Sequence, residues 1–142
     1  MGLNGPPIRL LDDVLRLTYI HNAGAAFGLF HGNRWFFIGV TVLSALVLLY
    51  LAGSGRYRDP WLSAAFGMIF GGALGNLIDR IWLGVVIDYV QMGIAGHFWP
   101  VYNIADIGVT VGVAVLLARL LFERTESEGE AVSPTPGRED ET

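Results

Sequence analysis

The chain has 142 residues, 53% hydrophobic and 15% charged, with a mean hydropathy of +0.50. That length suits one compact domain, and that composition is too apolar for a typical water-soluble one. Cysteine is absent, which excludes disulfides and thiolate chemistry. The histidines are scattered with no spacing that pairs them on one face for zinc. The net charge of −4 is uneven: after position 122, seven acids against two arginines give −5, and the first 122 residues carry seven Arg against six Asp, or +1. No basic patch is dense enough for nucleic acid.

Residues 1–33 are interrupted by Arg9, Asp12, Asp13 and Arg16, so they do not read as a membrane span. Val14 to Ile20 is rich in strand-forming residues, and 8–33 is expected to be a strand and loop of a small extracytoplasmic sheet. His21 to Gly28 is a loop of small residues able to approach another backbone closely. From Trp35 to Gly55 there is no charge over 21 residues, enough to cross about 30 Å of hydrocarbon at about 1.5 Å per residue. Trp35 and Tyr50 sit near its ends as interface anchors do. The predicted span covers about 35–54.

A short connection with Arg56 and Arg58 follows, and its charge places it in the cytoplasm. Pro60 starts a second span over about 60–80. Gly67, Gly71 and Gly75 recur every four residues there, a stripe that would let a neighbouring helix approach, with packing as its plain meaning. Residues 83–92 read as a short strand carrying Asp88, and 93–100 as a loop with His97, Phe98 and Trp99 at interfacial depth. A third span is expected over about 102–122, with Arg119 and Arg124 at its cytoplasmic end. Residues 1–124 would form the membrane-embedded domain, and the acidic stretch 125–142 a disordered cytoplasmic tail. The expected class is a polytopic α-helical membrane protein with three transmembrane helices and a small extracytoplasmic β-sheet.

In this topology the unusual polar residues gather on one, non-cytoplasmic side. Ionisable groups beside hydrocarbon-length segments are costly, so they mark a functional site by default. Asn76 and Arg80 share a helix face at a spacing of four, and Asn103 and Asp106 at a spacing of three. Asp88, on the connecting segment, can fold between them. Two carboxyls a few ångströms apart cannot both ionise easily and would share a proton. One can then take a proton from water while the other hydrogen-bonds a scissile carbonyl. Plainer readings stand beside this one. An Asp near a helix end can be a solvated cap, and Asp79-Arg80 an interfacial ion pair. Asp79, Asp88 and Asp106 could also line an ion path in a small transporter or channel subunit, which would predict a repeat of spans; none is visible.

Four stretches stand in order: Asn22-Ala23-Gly24-Ala25-Ala26-Phe27, then Gly71 to Arg80 (GGALGNLIDR), then Val85-Val86-Ile87-Asp88-Tyr89, then Asn103-Ile104-Ala105-Asp106. On these the chain closely resembles the lipoprotein signal peptidases, the type II bacterial signal peptidases, over roughly residues 8–122. The resemblance implies a multi-pass aspartyl endopeptidase of the bacterial inner membrane. It would cut lipid-modified prolipoproteins just before the diacylglyceryl-cysteine, near the extracytoplasmic face, without cofactor or metal. Carried over by motif, Asp88 and Asp106 are the catalytic pair. Asn76, Arg80, Asn103 and Asn22 bind substrate, and Asp79 and Gly24 are structural supports. Membrane lipid and globomycin-like inhibitors are the further expected partners, and the working unit is a monomer. The family pattern has four spans, and this chain starts at the strand after the first. A leading span is therefore expected to aid delivery of residues 8–34 across the membrane.

Overall fold

The computed structural model describes residues 6–12, 14–24, 32–55 and 59–132, as backbone alone from 123 onward. Two strands, two helices, two more strands and a final helix follow one another. Strands β1 (Ile8–Leu11), β2 (Leu15–Asn22), β3 (Val86–Ile94) and β4 (His97–Phe98) form one sheet in the order β1-β2-β3-β4. All neighbouring pairs are antiparallel. The β2–β3 register sets Leu15 opposite Met92 and Asn22 opposite Val86, with an irregularity between Leu17 and Ile20. It brings the end of β2 alongside Asp88. A tight turn joins β3 to β4 through Ala95 (φ 52°) and Gly96 (φ 81°), the left-handed pair of a hairpin that follows the sheet's twist. The strand expected at 83–92 is thus β3, and the expected 93–100 loop holds its end and β4.

The three helices are α1 (Arg34–Gly53), α2 (Pro60–Trp82) and α3 (Ile104–Val132). Each contains a stretch long and apolar enough to span a membrane, the third over Ile104–Phe122. No residue of α1 is buried, although the helix is apolar on every side. A helix of that kind faces lipid, not a protein core. Trp61 and Trp82, at the two ends of α2, are 67% and 80% exposed, as interfacial aromatics are. Backbone helix continues in α3 through Val132, beyond the expected tail boundary at 125. Three glutamates and an alanine in 125–132 are good helix formers.

Asp59 caps α2, its Oδ1 accepting from the backbone N–H of Trp61 (2.7 Å) and Leu62 (3.1 Å), and Pro60 fills the first helical position. Its other oxygen accepts from Arg119 Nε on α3 at 2.8 Å. One side chain thus starts α2 and ties it to α3.

The core lies between α2 and α3, around Leu62, Ala65, Phe66 and Leu77. Here the sequence expectation needs correction. Gly67 and Gly71 are exposed, with open space where a Cβ would stand. The close approach falls one position on. A Cβ on Gly72 would collide with the Ala105 carbonyl oxygen and with Val109 (2.8 Å), and one on Gly112 with the Ala65 oxygen at 2.8 Å. Gly75 does face Ala105, at 3.2 Å. The spacing-of-four pattern fits two adjacent stripes. The stripe through Ala65, Gly72 and Asn76 is the one turned towards α3, because small residues there meet Ala105, Gly108 and Gly112.

Gly72→Ala and Gly112→Ala are therefore expected to lower the melting temperature in detergent, by an overpacking cost of about 1–3 kcal/mol. Gly71→Ala should be neutral or slightly stabilising, by up to about 1 kcal/mol. Thermal unfolding of the three variants side by side checks this.

Candidate active site

The site forms where α2 ends, α3 begins and β3 crosses between them. Asn103 caps α3. Its Oδ1 accepts from the backbone N–H of Asp106 (3.1 Å), and Asp106 Oδ2 accepts from the backbone N–H of Asn103 (3.1 Å). This reciprocal capping box fixes Asp106 in the first turn, where the helix dipole favours a carboxylate. The preceding residue, Tyr102, pairs its backbone with Val90 of β3 in both directions, at 2.7 and 3.0 Å. The start of α3 is thereby stitched to the strand that carries Asp88. Nothing in the apolar character of Val90 or the type of Tyr102 announced that stitch in the sequence.

Asp88 is 3% exposed and Asn103 4%, the buried polar side chains among the described residues. Asn103 Nδ2 donates to Asp88 Oδ1 (3.0 Å) and to Asn76 Oδ1 (2.9 Å). Asn76 Nδ2 donates in turn to Asp106 Oδ1 at 2.7 Å. Asn22 Nδ2 donates to Asp88 Oδ2 at 2.8 Å, and Asn22 Oδ1 accepts from the N–H of Gly24 (3.0 Å). The two carboxyls are thus joined through the amides of Asn103 and Asn76, and each carboxyl oxygen accepts a hydrogen bond. Satisfaction on this scale is what a buried polar cluster requires.

Burial pushes the Asp88 carboxyl above the ordinary carboxylate range, and the charge of Asp106 pushes the same way. The amides of Asn22 and Asn103 and the charge of Arg80 oppose the rise. Arg80, one turn beyond Asn76, donates from Nη1 to the Asn76 carbonyl (3.3 Å), and its guanidinium lies 4.9 Å from the centre of the Phe37 ring. Asp79 points elsewhere: its Oδ2 accepts from the N–H of Ile87 at 3.1 Å, holding the start of β3 to the end of α2. Gly24 is buried beside Asn22.

Of the polar residues singled out in the sequence, Asn22, Asn76, Arg80, Asp88, Asn103 and Asp106 converge, and Asp79 serves the strand instead of the cluster. The amides of Asn22, Asn76 and Asn103 are engaged with carboxyls and with one another. The rest of the expected 21–28 loop, from position 25, lies outside the described residues, as do Arg56 and Arg58. Beside Asp106 opens a cavity of about 650 Å³, walled by Val14, Met92, Ile94, Trp99, Ile107 and Val111. It is almost wholly apolar, with Asp106 as its charged group. These wall residues went unread in the sequence because ordinary apolar side chains carry no spacing signal for a cavity built from sheet and helix together.

Residues 2–122 match the family described as signal peptidase (SPase) II. A lipoprotein signal peptidase of Symbiobacterium thermophilum is 41% identical over 115 residues, covering 81% of this chain and 76% of that protein. One of Halothermothrix orenii is 45% identical over 115 residues, covering 80% and 74%. Two solved structures titled as bacterial membrane enzymes are similar in fold. The first has a TM-score of 0.80 at 30% identity, over 97% of this chain and 78% of the other. The second has a TM-score of 0.74 at 33% identity, over 82% and 76%. With three membrane-length helices and a small antiparallel sheet, this chain is a multi-pass membrane protein, and it belongs to the signal peptidase II family, the lipoprotein signal peptidases.

Proposed function

We propose that this peptidase is an aspartyl endopeptidase in which Asp88 and Asp106 share one proton and activate water. The observation that carries the reading is the ladder Asp88–Asn103–Asn76–Asp106, which couples the buried Asp88 to Asp106 at the wall of an apolar cavity. In this scheme the shared proton is assigned to Asp88, whose carboxyl burial raises. Asp106, which opens on the cavity, takes a proton from water as the water oxygen attacks the scissile carbonyl carbon. Asp88 gives its proton to the carbonyl oxygen, forming a tetrahedral diol. Collapse of the diol breaks the C–N bond, returns a proton to Asp88, and passes the Asp106 proton to the leaving amine.

Asn22, Asn76 and Asn103 hold the carboxyls in register, and Arg80 supplies positive charge beside them. The substrate is a lipid-modified prolipoprotein, cut before its diacylglyceryl-cysteine. An apolar cavity beside the acid pair suits a substrate that arrives from the bilayer. On this reading the protein works as a monomer in the bacterial inner membrane, with its site near the extracytoplasmic face and globomycin-like peptides as inhibitors.

Asp88→Asn and Asp106→Asn should each abolish cleavage of a lipid-modified prolipoprotein peptide in detergent, with the folded protein recovered in normal yield. The double variant should be little worse than either single one, since groups that act as a unit are non-additive. Turnover above a few per cent of wild type in either single variant would refute the pair.

The raised Asp88 carboxyl also sets a pH dependence of stability. The folded state holds this proton more tightly than the unfolded chain does. Stability should therefore fall as pH rises from the ordinary carboxyl value through the raised one. Melting temperatures across that window should show this slope in the wild type and lose it in Asp88→Asn.

A further inference from the structure

Helix α1 buries no residue, yet its first turn reaches the site at two points. Arg34 Nη2 donates to the Ile81 carbonyl at 2.6 Å, satisfying an acceptor in the last turn of α2. One turn along α1, the Phe37 ring lies under the Arg80 guanidinium, 4.9 Å from centroid to carbon. Among the described residues, the hydrogen bond that Arg80 makes is a long one, 3.3 Å, to its own helix at Asn76. A flexible side chain held so loosely needs a second support if its charge is to stay in one place. An aromatic face beneath a guanidinium supplies it, and does so most strongly where water is scarce.

We propose that Phe37 is a positioning residue: its ring is the shelf that holds the Arg80 guanidinium beside the two aspartates. This rests on the peptidase reading of Asp88 and Asp106. It gives α1 a function that its lack of buried residues would not suggest. The clamp has two parts, Arg34 fixing the height of α1 against the end of α2 and Phe37 fixing Arg80. The charged groups facing Asp88 are Asp106 on α3 and Arg80 on α2, whereas β2 offers the neutral amide of Asn22. Arg80 is thus the positive charge that favours the ionised form of Asp88. If its guanidinium swings away, the acid pair should hold its proton to higher pH.

The test is Phe37→Leu and Phe37→Trp, assayed for cleavage across pH with Asp88→Asn alongside. Phe37→Leu should lower kcat/KM by roughly three- to tenfold, the range expected for a lost cation–π contact. It should also move the limb of the pH profile that reports the acid pair to higher pH. Phe37→Trp, which keeps an aromatic face, should restore both. An unmoved limb in Phe37→Leu would overturn the proposal, whether or not the melting temperature falls, because a merely structural role changes stability without shifting the limb.

A thermal double-mutant cycle of Phe37→Leu with Arg80→Met reads the contact without turnover. Non-additive melting shifts support the shelf, and additive ones overturn it. If Asp88→Asn stays active, the peptidase reading fails instead, and the cycle still decides whether Phe37 holds Arg80.

Discussion

Everything at this site depends on how closely α2 and α3 approach. Gly72 and Gly112 have no room for a methyl group, because the backbone of the opposite helix occupies that space. Within a membrane no hydrophobic force drives helices together, so close packing and cross-helix hydrogen bonds must do so. Asn76 stands one turn beyond Gly72 on the same stripe. Only with backbones this near can its short side chain reach Asp106 on α3. The glycine contact and the asparagine ladder are thus two ends of one constraint, with the Asp59–Arg119 pair closing the opposite end of the helix pair.

The sheet supplies the other half of the geometry. Asp88 cannot sit on either helix and also face both of them. It is carried on β3, held by β2 through Asn22, by α2 through Asp79, and by Tyr102 in the segment that leads into α3. A buried carboxyl left without partners would cost several kcal/mol, of the order expected for an uncompensated buried charge. Here every such oxygen accepts a hydrogen bond, so the acid is kept buried and raised but not orphaned. The capping box on Asp106 serves the same end, since the groups that start α3 also fix the second carboxyl.

Much of this was legible in the sequence because membranes make polar residues informative. Long apolar runs bounded by aromatic residues marked the three membrane-length helices to within a few residues. The carboxyls and amides stood out simply because charge and amide groups are rare beside hydrocarbon-length helices. Two of the three glycines read as a contact stripe, Gly67 and Gly71, face open space, since a spacing of four cannot tell Gly71 from Gly72 without the facing surface of α3. The Tyr102–Val90 stitch, the apolar cavity walls and the Phe37 shelf were invisible for a related reason. Each depends on which ordinary residue a distant segment brings near, and residue type alone does not encode that.

The central claim is that the asparagine ladder couples the two carboxyls into one acid pair. An infrared titration of the aspartate carboxyl bands in the detergent-solubilised protein, wild type against Asp106→Asn, addresses it directly. A carboxyl that stays protonated above the ordinary range in the wild type, and titrates at lower pH once Asp106 is neutral, is the expected result, because the charge of Asp106 helps hold the proton on Asp88. A titration of Asp88 that is indifferent to residue 106 would contradict it.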